Sequence, residues 1–128
     1  AVLAQLAKDA EVKATIACGD FNAAMYPSDR PNDRDATQDT AYRGAMAEAG
    51  IWTADPWEPG QPPRVRTLRI QGQPTSRIDD VLVNRKLAAQ TARVTVHELD
   101  EGWDTDHNLI NASIPWESLG LLPAPLWA

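Results

Sequence analysis

Three short clusters hold the side chains best suited to chemistry. Gly19-Asp20-Phe21-Asn22 closes the apolar run that begins at Lys13. If that run is a strand, positions two apart share a face, so Asp20 and Asn22 point together and Phe21 turns inward. Gly19 then removes a side chain that would crowd them. A carboxylate beside an amide suits a hard cation, or a water polarised next to a phosphate. The same Asp-x-Asn pattern also serves as a turn cap. Ser76-Arg77-Ile78-Asp79 leads into Val81-Leu82-Val83. An acid at a strand start can orient a histidine from a neighbouring strand and fix its tautomer. A surface carboxylate followed by Asp80 is the plainer alternative. Thr105-Asp106-His107-Asn108 precedes the last regular apolar run. Asp106 can bind a metal and His107 can touch a phosphate oxygen, while an Asp-His pair can equally be structural.

Around these clusters lie candidate substrate contacts. Arg64 and Arg66 alternate along one strand face and, with Arg77, can neutralise phosphates. Charged edges also block unwanted strand pairing, which is the competing use. Trp103, beside the Asp-His loop, can stack on a base or pack inward. Ser28–Asp39 is polar but lacks the central Gly and closing Glu of a calcium loop, so it reads as a solvated loop. Cys18, Trp52 and Trp57 read as core, and His97 as surface.

The elements that must position these residues can be read coarsely. Residues 2–10 have helical apolar spacing, and 13–18 form a buried-type strand ending at Gly19. Thr40–Ala49 is a second helix with Tyr42, Ala45, Met46 and Ala49 inward, closed by Gly50. Ile51–Thr53, 65–70, 77–84, Arg93–Leu99 and Asn108–Ile114 read as strands, with a turn around Gly72 and Pro74 and a helical turn at 86–90. The expected class is α/β in the broad sense, or α+β: a mixed, mostly antiparallel sheet with helices on one face.

Composition narrows the classes. The chain has 128 residues, 43% apolar and 23% charged, which suits one globular domain rather than a disordered segment. A single cysteine excludes an internal disulfide framework. The net charge of −6 excludes a uniformly basic nucleic-acid surface. The charge is uneven, however: Arg64 to Arg93 carries seven basic residues against two acids, and Glu98 to Asp106 carries five acids and no base. No apolar run is long enough for a membrane span, and no secretory signal is visible, so an intracellular protein with no membrane partner is expected.

The order and contexts of Gly-Asp-Phe-Asn, Ser-Arg-Ile-Asp and Asp-His-Asn resemble the endonuclease/exonuclease/phosphatase superfamily. Its members include apurinic-site endonucleases, pancreatic-type deoxyribonucleases and LINE-type retrotransposon endonucleases. Ala45–Trp57 and Thr67-Leu68 echo the stretches between the family's motifs, with Leu68 in place of an aromatic and Thr105 in place of a serine. The resemblance covers residues 1–114, leaving 115–128 as an apolar tail with prolines and tryptophans. It implies the C-terminal half of a four-layered α/β-sandwich. It also implies catalytic roles for Asp20, Asn22, Asp79 and His107. Asp20, Asn22 and Asp106 would hold Mg²⁺ or Mn²⁺, and DNA would be the partner. The family's early asparagine and principal metal-binding glutamate belong to an earlier half, and Glu11 and Glu48 lie in other contexts. An N-terminal half or a partner chain is therefore expected to cover the sheet. The implied activity is metal-dependent phosphodiester hydrolysis, as an endonuclease. A phosphatase for lipid or inositol phosphates is a variant. The alternative is an inactive half-domain serving as an interaction module.

Overall fold

The computed structural model describes residues 15–84, 93–100 and 102–114. The expected helix at 2–10, the turn at 86–90 and the tail 115–128 lie outside the described residues. Within them the chain is α+β. Strand β1 (Ile16–Asp20) is followed by two single 3₁₀ turns, helix α1 (Asp39–Ala49) and strand β2 (Ile51–Thr53). Then come β3 (Leu68–Ile70), β4 (Gln73–Ser76), β5 (Asp79–Asn84), β6 (Arg93–His97) and β7 (Leu109–Ser113). Every strand pairing among the described residues is antiparallel: β1-β5-β2 form one sheet, β3-β4 a hairpin and β6-β7 another pair.

Strand β5 is the centre of the molecule because both its faces are apolar. Leu82 on one face joins Met25, Ala49 and Ile51, with Tyr42 and Met46 of α1 packed against them. Val81 and Val83 on the other face join Ala54 and meet Val94, Ile110 and Ala112 from β6 and β7. The helix presents Tyr42, Met46 and Ala49 at i, i+4 and i+7. Ala45, expected inward, sits at the stripe's edge and is exposed. The helix ends where Gly50 takes a left-handed φ of 71° and donates its N–H to the Met46 and Ala47 carbonyls. The expected turn near Gly72 is a tight hairpin, but it joins β3 to β4, a strand not expected, while β5 pairs instead with β1 and β2. Gln71 and Gly72 both have positive φ, and Pro74 sits inside β4 opposite Arg69.

Three expectations are corrected. Strand β1 runs through Gly19 to Asp20; Gly19 has φ 147°, and a Cβ there would meet nothing within 4 Å. Glycine is thus required by the backbone, not by crowding. Cys18 is exposed, not core, because its face of β1, with Ile16, opens onto an apolar groove shared with Val81, Ile110 and Ala112. The polar stretch Ser28–Asp39 is not simply a solvated loop. Asp29 and Asp39 are fully buried and serve as anchors. Asp39 takes the Ala24 and Ala36 N–H groups and a bidentate Arg30.

Candidate metal and phosphate site

The antiparallel register of β1 and β5 places Asp20 directly opposite Asp79 at the end of the ladder. Like charges in such a pair repel, so the arrangement calls for a positive group nearby. His107 supplies one. Its Nδ1 lies 2.8 Å from Asp79 Oδ2, and its Nε2 lies 3.7 Å from Asp20 Oδ2 and 3.6 Å from Asp106 Oδ1. An ionised carboxylate only accepts, so Asp79 puts the ring proton on Nδ1 and turns Nε2 outward. Burial pulls the His107 pKa down. The hydrogen bond to Asp79 and the charges of Asp79, Asp20 and Asp106 outweigh it, and the pKa is raised above its ordinary value.

Asp79 and His107 are both held by Thr67 and Leu68 at the start of β3. Thr67 is fully buried, and its hydroxyl accepts the N–H groups of Ile78 and Asp79, both at 3.1 Å. The Thr67 carbonyl accepts the Asn108 N–H at 2.7 Å, and Leu68 bridges His107. The Thr105 hydroxyl accepts the His107 N–H at 3.1 Å, so the threonine keeps a hydroxyl at work in that turn. The sequence marked Thr67 only through the resemblance of Thr67-Leu68 to a family stretch; its double acceptance depends on a long-range approach that spacing does not encode.

Ligand atoms of Asp20, Asp79 and His107 lie within 4.8 Å of one another, a group that can hold a metal ion. Asp106 contributes an oxygen beside Nε2 without joining that group. Asn22 enters the contacts through its backbone only: its N–H donates to Asp20 Oδ1 at 2.8 Å and its carbonyl accepts from Gln38. The chain leaves the strand after Asp20 and Asn22 turns left-handed at φ 52°, so the alternation expected to align the two side chains does not extend that far. Phe21 does turn inward, onto the core and Tyr42.

The arginines expected to meet phosphate are otherwise engaged. Arg64 is buried, paired to Asp29 at 2.7 Å and Asp80 at 3.1 Å, and bonded to Thr53 and the Asp55 carbonyl. Arg77 is 1% exposed and pairs with Asp55 at 3.1 Å. Arg66 donates to the Ser28 and Arg30 carbonyls. For Arg64 the cause is the buried acids Asp29 and Asp80, which would be uncompensated without it. Arg64 and Arg77 therefore face inward, whereas Arg93 is exposed. Trp103 is 62% exposed and, with Asp104, Asp106 and Arg69, lines an open groove. Trp52 and Trp57 pack around Tyr26, and His97 is exposed. No helix among the described residues is long and apolar enough to cross a membrane. No family model matches the chain, and no curated protein matches it.

Proposed function

We propose that this chain carries a metal-dependent phosphodiesterase site acting on nucleic acid as an endonuclease, of the kind its motifs resemble. One observation carries the reading: Asp20, Asp79 and His107, from three distant segments, meet at one sheet end. The donor chemistry fits a hard cation. Three carboxylates face one imidazolium, so the site is net negative and would repel a phosphodiester unless a cation joined it. The Asp20 side chain is 47% exposed and that of Asp106 is 70% exposed, leaving oxygens free. Mg²⁺ or Mn²⁺ is commonly held by one or two carboxylates, waters and substrate phosphate. Asp20 and Asp106 would hold it, and it would supply Lewis-acid stabilisation of the phosphate charge.

The chain's own groups do the rest. Asp79 holds the His107 ring, and Nε2–H donates to a non-bridging phosphate oxygen, stabilising charge that builds in the transition state. Asp20 takes a proton from the attacking water as its oxygen bonds to phosphorus. The ester P–O bond breaks, and the leaving oxygen takes a proton from solvent. Trp103, exposed in the groove it shares with Asp106, would stack on a base.

Incubation of supercoiled plasmid with the chain and Mg²⁺ tests this. Nicked circles are expected, lost with chelator and reduced at least about 10²-fold in His107→Ala. A folded chain that leaves plasmid intact, or an equally active His107→Ala, overturns the reading. Steep loss of substrate affinity with salt separates a nucleic acid from a small phosphoester. A second reading, a non-catalytic interaction module, is favoured by the apolar groove along Ile16, Cys18 and Ile110.

A further inference from the structure

We infer that Arg69 is the positioning residue of the His107 loop, acting as a two-pronged clamp on backbone carbonyls. The kinetic part of this inference rests on the hydrolase reading; the structural part does not. Arg69 Nη1 donates to the Leu99 carbonyl at 2.8 Å, and Nη2 donates to the Thr105 carbonyl at 3.0 Å. Its backbone N–H donates to the Asp106 carbonyl at 2.7 Å. Leu99 and Thr105 lie on opposite limbs of the loop, so one planar guanidinium spans it. A guanidinium fork can do this and a single ammonium cannot.

Asn108 ties the loop at a further point. Its Oδ1 accepts the Leu99 N–H at 3.2 Å, and its Nδ2 donates to the Arg66 carbonyl at 3.1 Å. Asp100, Asp104 and Asp106 share the loop, yet no carboxylate among the described residues pairs with Arg69. The guanidinium is spent on main-chain oxygens instead. Of the two carbonyls the guanidinium holds, that of Thr105 lies two residues before His107, and Thr105 also fixes the His107 N–H; the Asp106 carbonyl is held by the Arg69 backbone. Arg69 contacts neither the ring nor the site carboxylates, so it acts on chemistry only through the loop. Misplacing a reacting group by about 1 Å costs on the order of 10²-fold in rate.

The test compares the full chain with Arg69→Ala and Arg69→Lys by two readouts. The first is the imidazole ¹⁵N spectrum of metal-free protein at a pH where His107 is neutral, assigned against His107→Ala. Wild type is expected as the Nδ1–H tautomer that Asp79 imposes. Both variants are expected to shift toward Nε2–H. The second is plasmid nicking with Mg²⁺, where kcat is expected to fall about 10²-fold while KM changes less than about threefold. Arg69→Lys keeps the charge, so it carries the test if Arg69→Ala fails to fold. A folded variant with wild-type tautomer and wild-type kcat overturns the inference. A wild-type chain inert on plasmid overturns the nuclease reading alone, and the tautomer then decides the clamp.

Discussion

At the residue scale, His107 holds the site together electrostatically. It stands among three carboxylates that would otherwise repel one another, and its raised pKa records that surplus. The folded chain thus binds this proton more tightly than the unfolded chain, whose histidine titrates near the ordinary 6.5. The stabilisation is fully present below that value and is lost as pH rises through the higher folded-state pKa. In metal-free buffer, the difference in unfolding free energy between wild type and His107→Gln should therefore shrink as pH rises through that window. A difference that stays flat, or grows, would contradict the geometry. The contact between Asp79 and His107 was legible because an acid at a strand start and an Asp-His turn are local patterns. The alignment of Asn22 with Asp20 was misread for the same reason: alternation is local too, and it stops where the backbone turns left-handed at Asn22.

At the element scale, β5 decides the architecture. Its Val-Leu-Val run was readable as a buried strand, and Leu82 and Val81/Val83 divide its two faces between helix α1 and the β6-β7 pair. Helix α1 and its Gly50 cap were equally legible, since both are set by near neighbours. The arginine-rich segment was not. Which side of 64–77 faces inward depends on Asp29 and Asp80, acids brought in from elsewhere in the chain. Arg64 joins both of them and lies over the Tyr26 ring at 5.1 Å. Its pKa is raised: burial opposes its charge, but Asp80 and Asp29 outweigh that. Removing one partner of a buried ion pair strands the others, at a cost of about 3–5 kcal/mol. Arg64→Ala should lower the unfolding free energy by that amount, read as a lower urea midpoint at an unchanged slope. A loss below about 1 kcal/mol would show that the cluster is surface-like.

At the scale of the whole molecule, long-range pairings bring scattered motifs to one rim. The β1-β5 register sets Asp20 against Asp79, and the bridge from Leu68 to His107 brings in the third segment. None of the three residues has a reason to cluster unless these tertiary contacts form. The apolar groove on the far side of β1 shows a face that the described residues leave uncovered. The central claim is that three segments build one cation-holding site around His107. Titrating Mn²⁺ into the ¹⁵N-histidine-labelled chain tests it most directly. Sub-stoichiometric Mn²⁺ should broaden the His107 ring signals more strongly than those of His97, which lies across the ladder from Leu109, and Asp20→Asn should abolish the effect. Equal broadening of both histidines, or none at His107, would contradict it.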